Sequence, residues 1–170
     1  DFVLNPLEAV AIERMAEAVY RNPDAQAVIR GARTQASLID DWALEDVIPG
    51  IQSRPDWLHD SGPTVDLKST ADFARYDDAI GNLGAHSQAA MISMIQKADH
   101  ERTLIVCENV WPYRCQVIDL SMTWLEIGRT WIESHLTTLR ECYTRDEWPL
   151  CATRRVSSPP QWLVRRMENE

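Results

Sequence analysis

Segment 54–70, which reads RPDWLHDSGPTVDLKST, constrains the fold more than any other part of the chain. Two extended runs flank the sequence DSGP, whose residue types favour a tight reversal of the backbone. We therefore expect two antiparallel strands joined by a turn. Side chains alternate between the faces of a strand, so Asp66 and Lys68 should share one face of the second run, with apolar residues on the other.

Pairing of the two runs would bring Asp56 of the first close to Asp66 of the second, on the same face as Lys68. Hard divalent cations such as Mg²⁺ bind a few carboxylate oxygens and keep several water molecules. A cation held there can activate water and stabilise a leaving oxygen, while a lysine positions the water and offsets phosphate charge. The pattern suggests metal-assisted phosphodiester cleavage. The alternative is a solvated strand with an ordinary Asp–Lys ion pair.

The presence of lysine at position 68 favours the first interpretation. The chain has 17 basic residues, of which only Lys68 and Lys97 are lysines. Arginine is always charged and carries a planar fork, whereas lysine is a compact ammonium whose pKa shifts readily. A site that needs the compact ammonium cannot accept the arginine that this sequence otherwise prefers.

Size and composition indicate one domain with a hydrophobic core. The chain has 170 residues, of which 45% are hydrophobic and 25% charged. No run approaches the roughly 20 apolar residues of a membrane helix, and we expect a cytoplasmic protein with no membrane partner. The four cysteines lack zinc-ligand spacing. A net charge of −9 argues against DNA binding over the whole surface, but it permits a groove lined by arginines.

Apolar periodicity and punctuating residues predict an α/β or α+β fold. Helices are expected at 5–20, 22–31, 71–83, 85–97 and 121–145. Strands are expected at 35–42, 50–56 and 64–68 as an antiparallel meander, and at 103–110 and 113–120 as a hairpin. This order corresponds to one mixed central sheet flanked by helices. Residues 1–148 would form the domain, followed by a C-terminal tail at 149–170.

Several ordered blocks together resemble one known family. The blocks RPD, VDLKST, ADFARYDDAI, HSQAA, ENVWPYRC and DEWP resemble the RecE-type (exonuclease VIII) nucleases of the PD-(D/E)XK superfamily, from about residue 14 to residue 162. The resemblance implies a restriction-endonuclease-like core that lacks the family's N-terminal, His-bearing helical part. It also implies a phage or prophage exodeoxyribonuclease that degrades duplex DNA ends from 5′ to 3′, with Mg²⁺ or Mn²⁺ as cofactor. A ring-shaped homo-oligomer and a single-strand annealing recombinase partner are implied as well.

The resemblance assigns roles to five residues. Asp56 and Asp66 would bind the metal, and the main-chain carbonyl of Leu67 would complete the ligand set. Lys68 would act on the nucleophilic water. Gln88, from the sequence His-Ser-Gln, would support the site from the helix that follows, and an exposed helix glutamine is its alternative interpretation.

Three further residues are candidates for substrate binding. Arg54 either contacts a DNA phosphate or braces Asp56. Ser69 and Thr70 either donate hydrogen bonds to phosphate or cap the following helix. The arginines of the tail, at 154, 155, 165 and 166, either touch DNA or belong to a solvated segment.

Two aromatic groups are expected to be structural. His86 is more typical of a structural residue than of a catalytic one. Trp124 and Trp131 lie one heptad apart on a helix, which favours core or interface packing over base stacking.

The chain departs from the family at the first strand of the meander. The family usually has a glutamate where this sequence has Gln35, and a neutral amide is a poorer metal ligand. Asp40, Asp41 or Glu45 takes that place if the alignment shifts. The departure and the missing N-terminal segment motivate one alternative to an active exonuclease, a catalytically decayed DNA-binding or recombination module. A structure-selective endonuclease on the same fold is a further alternative.

Overall fold

The computed structural model describes residues 5–40 and 50–148. Five α-helices lie in these ranges: α1 (Pro6–Arg21), α2 (Pro23–Ile29), α3 (Tyr76–Asn82), α4 (Ala85–Gln96) and α5 (Met122–Arg145). The strands are β1 (Arg33–Thr34), β2 (Leu38–Asp40), β3 (Ile51–Ser53), β4 (Trp57–Leu58), β5 (Thr64–Thr70), β6 (Arg102–Glu108) and β7 (Cys115–Asp119). Within these ranges, no helix combines the length and the apolar character that crossing a membrane requires. The predictions for Asp41, Glu45 and the tail 149–170 lie outside the described residues.

The main sheet is mixed and has five strands in the order β1-β4-β5-β6-β7. The central strands β5 and β6 are parallel along their whole length, and every other pair is antiparallel. The helices α3 and α4 provide the crossover that a parallel pair requires. The predicted α+β fold with one mixed, helix-flanked sheet is confirmed.

The predicted three-strand meander is wrong in its connectivity. β2 and β3 pair with each other as a separate two-stranded ribbon, whereas β4 pairs with β5 in the main sheet. The predicted strand 50–56 ends at Ser53, two residues before Pro55, which has no N–H to donate to a ladder. The predicted strand 35–42 starts only at Leu38, because Gln35 is in the left-handed region with φ of 52°.

Side-chain caps start the two N-terminal helices where the sequence predicts. Asn5 and Glu8 form a capping box, with bonds of 2.9 Å from the Glu8 N–H to Asn5 Oδ1 and 3.0 Å from the Asn5 N–H to Glu8 Oε2. The Asn22 side chain accepts from the N–H groups of Asp24 and Ala25 at the start of α2.

Helices cover both faces of the sheet. On one face Val65 and Ile105 pack against α2, but Leu67, further along β5, is 41% exposed. On the other face Leu104 and Val106 pack against side chains of α3, α4 and α5, among them Tyr76, Ile80, Ala85, Ala89 and Leu125. Every residue of β6 is buried, as expected of a central strand covered on both sides.

On the face of the sheet that α3, α4 and α5 cover, a glycine allows α4 and α5 to pack closely against each other. A Cβ atom at Gly128 would lie 2.5 Å from the backbone oxygen of His86 and 2.9 Å from the Cβ of Ala90. His86 is buried, as its predicted structural role requires, with Nδ1 3.0 Å from the Ile80 carbonyl oxygen. The helices therefore approach as closely as their backbones allow, and this contact fixes α4 over the sheet.

Candidate active site

The register of β4 and β5 brings the two predicted carboxylates together. Trp57 pairs with Val65, so Asp56 and Asp66 occupy the next position along the ladder. Asp66 is buried and Asp56 is half-buried. The convergence expected from the strand–turn–strand pattern is therefore present, immediately beyond the end of β4.

Asp56 is held by two hydrogen-bond donors. The Leu67 N–H donates to Oδ2 at 2.8 Å, and the Gln35 side-chain amide donates to Oδ1 at 2.8 Å. The N–H and C=O of one strand residue point to the same edge. The Leu67 carbonyl therefore points to the side of Asp56, where β4 has ended.

Lys68, Gln88 and Asp66 form a closed ring of polar contacts. The Lys68 ammonium donates to Gln88 Oε1 at 2.8 Å, and the Gln88 amide donates to Asp66 Oδ1 at 3.1 Å. The Lys68 ammonium lies 3.7 Å from the same Asp66 oxygen. The ring forms because Asp66 and Lys68 share the face of β5 that α4 covers. Gln88 is therefore not an exposed helix residue; it links the lysine to the carboxylate.

The surroundings of Asp66 disfavour the charged form of its carboxyl group. Burial raises the pKa of Asp66 above its usual 3.8, and the neighbouring Asp56 carboxylate raises it further. The Lys68 ammonium and a hydrogen bond from the Asp56 backbone lower it, but they do not outweigh burial. A cation near both carboxylates would relieve this imbalance.

The oxygen donors fit a hard divalent cation that retains water. Asp56, Asp66 and the Leu67 carbonyl provide oxygen only, which suits Mg²⁺ or Mn²⁺. Across residues 5–40 and 50–148, no cluster of three or more His, Cys, Asp or Glu side chains could hold a metal. The protein would thus supply few ligands, and water and phosphate would complete the shell, as is usual for Mg²⁺.

A cleft of about 330 Å³ opens beside Lys68. Its lining includes Ser69 and Gln88 together with Leu67, Tyr76, Ala79, Leu83 and Ala85. Burial raises the pKa of Tyr76 to about 12, so this hydroxyl stays protonated and able to donate. Sequence reasoning missed Tyr76, because nothing distinguishes it from the other residues of its predicted helix.

The three predicted substrate-binding residues have different surroundings. Arg54 is exposed and forms no hydrogen bond or ion pair with another described residue, so it does not brace Asp56. Ser69 is exposed and lines the cleft. The Thr70 hydroxyl forms a local turn with the backbone of Asp72, at 3.1 Å to both its N–H and its carbonyl oxygen. The cap of the following 3-10 helix is Asp72, whose side chain accepts from the Ala74 N–H, and Thr70 positions Asp72 rather than capping the helix itself.

Gln35 lies at the position expected for the third carboxylate. Its backbone N–H donates to the Asp56 carbonyl at 2.9 Å, in addition to the side-chain bond. Asp40, the alternative that the structure describes, lies in the β2–β3 ribbon and forms an ion pair of 3.4 Å with Lys97. Of these two residues, Gln35 therefore contacts Asp56, whereas Asp40 is paired elsewhere.

The mixed sheet and the helices on both faces define an α+β fold, with the Asp–Asp–Lys cluster beside its central strand. No protein-family model matches the chain, and no curated protein matches its sequence. The fold is similar to the crystal structure of a presumed exonuclease from Eubacterium rectale, with a TM-score of 0.62 and 12% identity. That similarity covers 91% of this chain but only 64% of the other, and at this identity it concerns the fold alone. A second solved structure, SSO0001, has a TM-score of 0.45 and 15% identity over 82% of this chain and 68% of that one.

The raised pKa of Asp66 predicts how its replacement alters stability. Its folded-state pKa lies above the unfolded value, so its stabilising contribution is complete below about 3.8 and is lost as the pH rises through the folded value. Asp66→Asn should therefore raise the melting temperature at neutral pH in the presence of EDTA, and the gain should shrink on acidification. Thermal unfolding from neutral to acidic pH measures this.

The matched control is Asp60→Asn. Asp60 is ion-paired with Arg33 on the surface, with its side chain 84% exposed. Its replacement should give no gain, because surface ion pairs contribute little. A lower melting temperature for Asp66→Asn than for the wild type at neutral pH would contradict the prediction.

Proposed function

We propose that the protein is a metal-dependent deoxyribonuclease, and specifically a 5′-to-3′ exonuclease that acts on duplex DNA ends. One observation carries the proposal: two carboxylates, an ammonium and the amide that links them converge beside an open cleft. The fold similarity to a presumed exonuclease and the sequence resemblance to RecE-type nucleases support the same reaction.

Two aspartates and a main-chain oxygen would hold the metal ion. Asp56 and Asp66 would provide carboxylate oxygens, and Leu67 would provide its carbonyl. When bound, the ion supplies an activated water and stabilises the leaving oxygen. The hydrogen bonds from Gln35 and from the Leu67 N–H fix the orientation of the Asp56 carboxylate, so this ligand is positioned before any ion arrives.

Lys68 would orient the attacking water and offset the charge of the scissile phosphate. Its ammonium is fixed by Gln88 and Asp66, and the cleft keeps it accessible. Gln88 positions both groups at once because its oxygen accepts from Lys68 while its nitrogen donates to Asp66. Ser69, exposed at the same cleft, and Arg54, exposed nearby in sequence, are available to bind phosphate.

The test of the proposal uses linear duplex DNA labelled at either the 5′ or the 3′ end. With Mg²⁺ the wild type should release labelled mononucleotides early from the 5′-labelled substrate and late from the 3′-labelled one. EDTA should abolish release, and closed circular DNA should stay intact. Cutting of the circle would instead favour the structure-selective endonuclease, and an absence of cleavage with both Mg²⁺ and Mn²⁺ would overturn the nuclease proposal.

The biological setting of the proposed reaction follows from the resemblance. A duplex exonuclease of the RecE type would act in phage or prophage recombination and hand its single-stranded product to an annealing recombinase. A ring-shaped homo-oligomer would keep the enzyme on its substrate. The net charge of −9 is compatible with an acidic outer surface around a basic DNA path.

A second candidate is a DNA-binding module that has lost turnover. Gln35 favours it, because an amide donor lies beside Asp56 where a third carboxylate would bind the metal.

Gln35→Glu should raise Mn²⁺ affinity on the order of tenfold by adding an anionic oxygen ligand. Calorimetric titration measures this, with Gln116→Glu on the exposed side of β7 as the control. Unchanged affinity in Gln35→Glu would show that position 35 does not face the ion.

A further inference from the structure

The turn between β6 and β7 presents an exposed tryptophan next to arginines of α1. Trp111 is 83% exposed, more than the other large hydrophobic side chains among the described residues. A groove of about 400 Å³ separates the turn from α1, lined by Arg14, Glu17 and Arg21 on one side and by Trp111, Pro112 and Tyr113 on the other. An indole so exposed contributes little to the core, so a packing role does not explain it.

The turn that carries Trp111 is held firmly by its own residues. The Tyr113 N–H donates to the Val110 carbonyl at 2.8 Å, and Tyr113 is in the left-handed region with φ of 59°. Below the turn, the buried Glu108 carboxylate accepts from the Arg114 N–H at 3.1 Å and from its Nε at 2.8 Å. A ring presented by a closed turn loses little conformational freedom when it binds a ligand.

The opposite wall of the groove is locally basic. Arg14 and Arg21 both contact one carboxylate, that of Glu17, at 3.0 and 2.5 Å. Two guanidinium groups on one carboxylate leave one positive charge in excess, on a chain whose net charge is −9. Both arginine side chains remain largely exposed, at 61% and 78%, so they can reach an anionic ligand.

The groove lies at the end of the sheet where β5 and β6 finish. β5 and β6 are parallel, so their carboxyl ends meet there, and the Asn109 N–H donates to the Thr70 carbonyl at 2.8 Å. Lys68 lies two residues before Thr70, which is roughly 7 Å along a strand. Lys68 lies on the face of the sheet that α4 covers, whereas α1 packs on the opposite face. A DNA strand would therefore pass around the carboxyl ends of β5 and β6 to reach the groove.

We propose that this groove binds single-stranded DNA, with Trp111 stacking on a base and Arg14 and Arg21 contacting phosphates. Aromatic stacking platforms combined with basic grooves are how proteins bind single strands with little sequence preference. A duplex shields its base faces, so the preferred ligand is an unpaired segment of the DNA substrate, such as the strand left after digestion. The inference rests on the proposed nuclease function, because it assumes that DNA is the substrate, but it concerns a separate surface.

The test measures the fluorescence anisotropy of a labelled oligothymidylate in EDTA, which prevents metal-dependent hydrolysis. Trp111→Ala should weaken binding by about 5- to 150-fold, the effect of losing one stacked base, and Trp111→Phe should retain part of the affinity. Trp148→Ala is the matched control, since Trp148 is also exposed, at 48%, but packs against Tyr143 away from the groove. Circular dichroism verifies that each variant is folded.

The salt dependence of binding tests the arginines separately. Arg14→Gln should reduce the slope of log affinity against log salt concentration by about 0.7, the value for one phosphate contact on a single strand. Arg33→Gln, whose native side chain is equally exposed and paired with Asp60, should leave the slope unchanged.

The outcomes separate this inference from the proposed function. Wild-type affinity in Trp111→Ala, or an absence of single-strand binding by the wild type, would overturn the groove as a binding site. Neither result depends on cleavage, which is measured with Mg²⁺ on duplex ends. If the wild type cleaves duplex DNA and Trp111→Ala binds single-stranded DNA with wild-type affinity, only this inference fails and the nuclease proposal stands.

Discussion

Lys68→Ala is expected to reduce hydrolysis of linear duplex DNA by about 10²- to 10³-fold, the usual effect of removing one donor that stabilises charge at the reacting centre. The substitution removes the ammonium that lies 2.8 Å from Gln88 Oε1 and 3.7 Å from Asp66 Oδ1. It also removes a charge that lowers the pKa of Asp66, so this carboxyl should become harder to ionise. Lys68→Arg should be nearly as inactive, because a planar fork cannot replace a compact ammonium in this position.

Lys97→Ala is the control, because it replaces the other lysine of the chain. Lys97 is an exposed residue at the end of α4 and is ion-paired with Asp40 at 3.4 Å. Its removal should leave the rate of nucleotide release unchanged. The assay is steady-state release from end-labelled duplex DNA, and wild-type activity in Lys68→Ala would rule out the proposed mechanism.

The second large effect concerns folding rather than chemistry. Gly128→Ala should lower the free energy of unfolding by about 3 kcal/mol, at the upper end for overpacking, because the added Cβ would lie 2.5 Å from the His86 backbone oxygen. Backbone atoms cannot move aside as a flexible side chain can. Alanine normally stabilises a helix by about 0.5–1 kcal/mol relative to glycine, and the clash should outweigh that gain.

Gly81→Ala in α3 provides a matched control for Gly128→Ala. A Cβ at Gly81 would be 3.7 Å from the nearest ring atom of Trp124, which is an ordinary contact, so this variant should be as stable as the wild type or more stable. Urea denaturation compares the two. If the added Cβ displaces the α4 backbone at His86 as expected, activity should fall as well, because Gln88 lies two residues further along α4. Unchanged stability of Gly128→Ala would contradict the close approach of the helices.

Much of the fold was predictable because its determinants are local. Asn5 and Asn22 cap helices through their own side chains, and Gly84, with φ of 72°, separates α3 from α4 at the predicted position. The convergence of Asp56 with Asp66 was predictable as well, since alternation along a strand and the turn between the strands determine which side chains meet.

The remaining features depend on tertiary contacts that periodicity does not contain. β1 has only two residues, too few for an alternating pattern, and it is formed by pairing with β4. The groove at Trp111 exists only because α1 packs beside the β6–β7 turn. The sequence likewise gives no indication that Thr70 binds the backbone of Asp72 rather than pointing to a ligand.

The contact among Lys68, Gln88 and Asp66 also bears on how the newly made chain matures. In this arrangement the ammonium serves as a provisional counterion for Asp66. Internal groups thus partly balance the carboxylate, so the polypeptide need not wait for a metal ion to reach its native conformation. In the proposed metal-dependent enzyme, ion binding would then follow folding rather than drive it.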